Sequence, residues 1–411
     1  MIIMSKDLRR VLGFWDSVAT GLAAMIGAGI FVVSGIGTRI AGSAVIAAFI
    51  IAGVVALFNA LSSSELAAAI PREGGTYEYA RRLLSPKVGF MAGWFFVSSK
   101  MLESATIALA FGAYISLVLN FDPRLFGVMA VLALTLINVL GIRASTDASK
   151  IMTVIKVGVL AAFAFFGLSA VKAANFVPFA PSGLQGVLTA SAIVFFAYTG
   201  YARIATLGEE IKEPRKTIPK AILVSLAITI VVYVSVVTVG IGLVGVQKFG
   251  GSDSPIAAAA SVLGGSVWVA LVIFGAAVAT LSVLLSDLLS SSRTVFAMAR
   301  NTDFPQVLSQ MRNVNPVNSV IVTSAVVLAL VLTGSLVQVA ALTSLTILIY
   351  YAVTNISALK LQPEKRLYSR VIPIAGLISC LALVVFLPLE QWLWTAVLVV
   401  IGLVYMMIRK I

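Results

Sequence analysis

The sequence predicts an all-α integral membrane protein of about twelve membrane-spanning helices. Three observations predict it. Of the 411 residues 60% are hydrophobic, about 247 side chains, and only 11% are charged, against roughly a quarter in soluble domains. A spanning helix takes about 20 apolar residues, so this apolar content fills about twelve of them. A β-barrel would instead show alternating segments of about ten residues, and the sequence has none. A soluble enzyme, a disordered chain and a nucleic-acid-binding module are excluded, despite the net charge of +13.

Apolar runs between charged or Gly/Pro-rich breaks place the helices in order. The first six fall at about 14–39, 42–70, 87–119, 125–144, 149–171 and 186–211. The second six fall at about 217–245, 265–300, 317–333, 335–360, 369–388 and 390–409. Residues 251–263 read as a short amphipathic segment outside the membrane core. No linker is long enough to divide the chain, so residues 1–411 are expected to form a single transmembrane domain.

Lysine and arginine placement orients these spans, because basic residues collect on the cytoplasmic side. With the N-terminus inside, 23 of the 29 basic residues fall on the inner side. Four (Arg39, Arg124, Lys172 and Lys248) fall outside, and Lys100 and Lys156 fall within spans. Both termini are therefore expected in the cytoplasm, with the chain in the cell membrane. The bias also accounts for the basic charge without a nucleic acid partner. Met1–Arg10 reads as a short cytoplasmic tail, since the apolar stretch after it is too long for a cleaved signal peptide. One cysteine, Cys380, and no histidine leave no disulfide framework, no metal centre and no imidazole proton carrier. No cofactor is expected.

Two spans should not be simple helices. The first contains Met25-Ile26-Gly27-Ala28-Gly29-Ile30-Phe31, and each mid-membrane glycine weakens a helix by about 1 kcal/mol relative to alanine. One reading is a packing face of small residues. The other is a helix broken at the midplane, where freed amides of Ala28, Gly29 and Ile30 face an anionic group. The sixth contains Phe195-Phe196-Ala197-Tyr198-Thr199-Gly200-Tyr201 and then turns polar. Two interrupted helices five spans apart are the signature of an inverted-repeat transporter with its substrate between the breaks.

These residues reach a known family. Gly27-Ala28-Gly29-Ile30-Phe31 resembles the G-[SA]-G-I-F motif of the amino acid–polyamine–organocation superfamily. Phe195 to Pro219, with Glu209-Glu210, Pro214-Arg215 and Ile218-Pro219, resembles its sixth-span signature. Pro71-Arg72-Glu73-Gly74-Gly75-Thr76-Tyr77 resembles its loop after span two, and Ala299-Arg300-Asn301 with Pro305 its loop after span eight. The resemblance implies the LeuT-type fold: inverted repeats over about 14–171 and 186–360, and two further helices over about 369–409. It implies uptake or exchange of α-amino acids. Many relatives carry an acidic residue just after the glycine of span six, but here the sequence reads Gly200-Tyr201-Ala202-Arg203. That departure argues against an acid-driven antiporter of basic substrates.

Charges at membrane depth cost about 2.5–3.5 kcal/mol on insertion scales, so each is a functional candidate. Lys156 sits about seven residues into span five, roughly 10 Å from its cytoplasmic end. It could snorkel to the inner interface. The resemblance instead implies a proton-carrying lysine, its ammonium in the sodium site of sodium-coupled relatives, with the Ala23 and Ile26 carbonyls and the Ser282 hydroxyl as neighbours. Lysine suits the role, because burial disfavours its charged form. Lys100 and Glu103 lie one turn apart in span three and can meet on one face. They read as a structural ion pair, with Glu103 as the alternative proton carrier. Glu65 and Asp287 read as solvated or gate-forming partners of Arg72 or Arg293.

The expectation is a secondary transporter: proton-coupled symport of mainly neutral L-amino acids by alternating access. The substrate carboxylate would meet the Gly27, Ala28 and Gly29 amides, and its amine the carbonyls of Met25, Ile26, Phe195 and Phe196. Phe196, Tyr198 and Tyr201 could close over the side chain. The alternative is an obligate amino acid or polyamine exchanger. A channel would need a continuous polar lining, and an ATP-driven pump a G-x-x-x-x-G-K-[ST] loop; the sequence has neither.

Overall fold

The computed structural model describes residues 12–27, 29–70, 74–141, 146–206, 211–311 and 315–409. Span one is α1 (Phe14–Met25), a π-helical turn at Gly29–Val33 and α2 (Ser34–Ala41). Span two is α3 (Val45–Ala69), and α4 (Thr76–Leu83) is a short connecting helix. Spans three to five are α5 (Pro86–Leu119), α6 (Pro123–Val139) and α7 (Thr146–Gly167). Span six is α8 (Gly183–Val194), a 3₁₀ stretch at Phe195–Tyr201 and α9 (Ala202–Thr206). Next come α10 (Pro214–Gly250), α11 (Pro255–Ala260) and α12 (Ser266–Arg300). The chain finishes with α13 (Val317–Thr333), α14 (Leu336–Leu359), α15 (Val371–Val385) and α16 (Leu389–Arg409).

Eight helical stretches among the described residues are at least 18 residues long and apolar enough to cross a membrane. Three more apolar helices have 15–17 residues. One of the eight, Gly29–Ala69, turns at Gly42, where φ is +64°. Only glycine adopts that backbone readily, and an added Cβ would lie 2.5 Å from Pro181. The chain is a multi-pass membrane protein. Its outward faces carry Val154, Phe165, Val231, Ile378 and Met407, each more than 60% exposed, as a lipid-facing surface requires.

Local chemistry sets the helix ends. Ser85 caps α5 by accepting from the Val88 amide at 3.3 Å, with Pro86 opening the helix. Asp122 with Pro123 and Ser335 do the same for α6 and α14. A proline in the first turn sacrifices no intrahelical hydrogen bond. Where the spans pack together they bury small and hydroxylic residues, among them Ser62, Ser64, Ser104, Thr280, Ser344 and Thr346. Such residues let membrane helices approach closely. Helix α5 runs through the centre, against α6, α12 and α14, while α10 lies against α1 and α3.

Within the short segment read over 251–263, helix α11 packs into the protein while Ser261 and Val262 stay exposed. Five of the six residues of α11 are buried. It wedges against α10, α12 and the Gly29–Val33 turn, and its alanines are small enough to allow that.

A polar clasp joins α4 to the turn after α12. The Tyr77 hydroxyl donates to Asp303 Oδ2 at 2.6 Å, and Arg81 pairs with the same carboxylate at 3.0 Å. Asn301 Nδ2 donates to the Tyr77 oxygen at 2.9 Å. Burial, and then the bond to Asp303, hold this phenol well above its ordinary pKa. It therefore remains a donor throughout the neutral range.

Candidate transport site

Both interrupted spans are interrupted in the structure. Helix α1 ends at Met25, and Ile26 is extended, with φ −82° and ψ 93°. Gly27 continues the turn and the chain resumes coiling at Gly29. Ala28 lies outside the described residues, as do Pro71–Glu73 and Glu209-Glu210 of the motifs. In span six the break is a tightening into 3₁₀ coils over Phe195–Tyr201.

The two breaks touch. A Cβ on Gly29 would lie 2.4 Å from the Ala197 Cβ, and one on Gly200 2.4–2.5 Å from backbone atoms of Ala24 and Met25. Both are closer than real carbons approach, so these glycines let one broken helix seat on the other. Tyr233 of α10 ties the breaks together. Its hydroxyl lies 2.7 Å from the Met25 carbonyl oxygen and 3.1 Å from that of Ala197. Sequence reasoning passed over Tyr233; nothing in its local pattern sets it apart from a packing aromatic.

The expected ligand-binding residues do not all converge. Met25, Gly27, Gly29 and Phe196 line one small cavity with Glu103, Ile107 and Val283. Its volume is about 10 Å³, room for about one water. Tyr198 turns to α3, its hydroxyl donating to the Phe49 carbonyl at 3.0 Å. Tyr201 and Phe195 pack on Tyr351 of α14, with ring centres 5.6 and 6.0 Å away. The space available in this conformation is a second cavity of about 240 Å³ beside the breaks, reaching from Ala24 and Gly200 to Arg293 and Ala297.

Lys156 is fully buried and turns into the bundle rather than toward an interface. Its Nζ donates to the Ala23 carbonyl at 2.5 Å and to Ser282 Oγ at 3.3 Å, joining α7 to α1 and α12. The Ile26 backbone lies one turn further along, at the break itself.

Lys100 Nζ donates to Glu103 Oε2 at 2.6 Å, as an i,i+3 pair, and also to Asp287 Oδ1 at 3.3 Å. Asp287, which the sequence alone reads as solvated or as a gate-forming partner of Arg72 or Arg293, is buried and forms its ion pair with Lys100 on the facing helix α5. Glu65 likewise accepts from the Leu367 and Tyr368 amides, at 2.7 and 3.1 Å. Arg203 donates to Ser286 of α12. The signal that could have found Asp287 is its depth, since a carboxylate inside a span requires a partner.

An amino acid permease family model matches residues 16–410. The chain belongs to the amino acid permease family. It is 38% identical over 409 residues to an uncharacterised transporter of Mycobacterium tuberculosis, covering 98% of this permease and 92% of the relative. It is 32% identical to the branched-chain amino acid permease BcaP of Bacillus subtilis, covering 74% of this chain and 70% of that one. A methylthioribose transporter of Bacillus subtilis is 28% identical, covering 99% of this chain and 95% of the relative. The permease is thus a transporter and not an enzyme.

Proposed function

We propose that this permease is a secondary transporter that carries mainly neutral L-amino acids together with protons by alternating access. It would sit in the cell membrane as one transmembrane unit of two inverted five-span repeats, with both termini in the cytoplasm. The substrate carboxylate would bind the amides at Gly27–Gly29, and its amine the carbonyls around Met25, Ile26, Phe195 and Phe196. The collapsed cavity there would open when spans one and six part.

The observation that carries this reading is the environment of Lys156. A buried primary amine with a carbonyl and a hydroxyl as its hydrogen-bond partners can lose and regain a proton without breaking an ion pair. Its contact to Ala23 lies three residues before the break in span one, so its charge state bears on the segment that must move. The family supports an amino acid as substrate, and the name of the branched-chain permease from Bacillus subtilis points to aliphatic side chains. The methylthioribose relative makes 5-methylthioribose the informative competitor.

The experiment is uptake of labelled L-leucine into proteoliposomes with and without an inward proton gradient. Accumulation above equilibrium that collapses with a protonophore is the expected result. Transport only against an internal amino acid, indifferent to the gradient, would replace symport by exchange. Competition by 5-methylthioribose but by no amino acid would overturn the substrate class.

A further inference from the structure

The 240 Å³ cavity has the chemistry of a binding site in its own right. Asp287, Lys100 and Arg203 bring charges of both signs to its wall, and Phe96, Ile347 and Tyr350 give it an apolar side. Asp287 is 6% exposed. Its Oδ1 accepts from Lys100, while its Oδ2 has no hydrogen-bond partner among the described residues. Buried carboxylate oxygens are nearly always paired, because leaving one unpaired costs about 1–3 kcal/mol or more. The cavity is smaller than the roughly 300–1,000 Å³ that drug-sized ligands occupy, which is the scale of a single amino acid.

We propose that this cavity is a second amino acid site, next to the helix breaks. The ligand's ammonium would meet the Asp287 carboxylate, whose covered Oδ2 would turn toward the cavity to accept from it. Its carboxylate would face Lys100 and Arg203, and its side chain would lie along Phe96, Ile347 and Tyr350. A zwitterion suits this wall because it brings both charges and adds no net charge. A basic amino acid would add a cation beside the three that line the cavity, Lys100, Arg203 and Arg293. The ligand class rests on the amino acid substrate proposed above; the site does not require proton coupling.

The test is photo-crosslinking of the full-length protein with photo-leucine, the diazirine analogue of L-leucine, followed by peptide mapping with and without excess L-leucine. Adducts at Phe96, Ile347 or Tyr350 that L-leucine suppresses are expected, because these residues line the large cavity and not the small one. In Asp287→Asn their yield at limiting ligand should fall about tenfold, as expected for loss of a charged hydrogen bond. Adducts at Phe196 and Ile107 should persist. Suppressible adducts confined to Phe196 and Ile107 in the unmodified protein would overturn the second site and leave the proposed function standing. Adducts at the large cavity unchanged by Asp287→Asn would overturn the assigned contact. Absence of any suppressible adduct would remove the amino acid substrate and this site with it.

Discussion

At the scale of single residues, the two glycines of the first break are not equivalent. A methyl at Gly29 meets the Cβ and Cα of Ala197 at 2.4 and 2.7 Å, whereas one at Gly27 meets the end of the Val283 side chain at 2.8 Å. Backbone cannot yield as a valine rotamer can. Overpacking of this kind costs about 1–3 kcal/mol, so Gly29→Ala should lower the melting temperature clearly and abolish L-leucine binding. Gly27→Ala should do less of both. Thermal melts with and without L-leucine check this, and equal behaviour of the two variants would contradict the packing argument. The same scale governs Lys156. Lys156→Ala should retain binding yet lose gradient-driven accumulation, and Lys156→Arg, which hardly deprotonates, should also fail to accumulate. Accumulation by either variant in proteoliposomes would move the coupling role to Glu103.

At the scale of elements, the apolar runs made the spans legible, because a helix in lipid must satisfy its own backbone and announces itself by length. The breaks were legible too, since two glycines and an aromatic run at mid-span are poor helix formers. Partner choice was not. The pairing of Asp287 with Lys100 depends on how α12 is rotated against α5, and charge spacing along one helix carries no information about that. The burial of α11 was hidden for the same reason, its packing being set by elements distant in sequence. The clasp between α4 and the turn after α12 yields a prediction of its own. Tyr77→Phe removes the donor to Asp303 and should cost about 1–3 kcal/mol. Because the folded phenol titrates above its unfolded value, its contribution is complete below about pH 10 and fades as pH rises further. Thermal unfolding followed from pH 8 to 11 should therefore show a shallower alkaline decline in Tyr77→Phe than in the parent protein.

At the scale of the whole molecule, the two breaks are packed together and the larger cavity lies beside them, toward one end of the bundle. On the orientation proposed from the basic residues, that end faces the cytoplasm, since Gly74, Gly75, Arg293 and Thr294 line it. If a proton travels with the substrate, each must favour the binding of the other by the same factor. Uptake of L-leucine should then rise as external pH falls, and Lys156→Ala should flatten that dependence. A pH profile of initial rates in proteoliposomes tests this; a profile unchanged by the mutation would separate Lys156 from the coupling.

The bridge made by Tyr233 also bears on how easily the carrier rocks. A phenol has a single hydrogen to give, yet its oxygen stands within reach of two carbonyl groups, one on each broken span. At any instant one span is fastened and the other merely adjacent. Parting them therefore sacrifices about one hydrogen bond, on the order of 1 kcal/mol, rather than two. The joint behaves as a latch with one tooth: it aligns the broken ends at rest but itself resists their separation only weakly, so most of the resistance to opening lies in the close packing of Gly29 and Gly200 against the facing span.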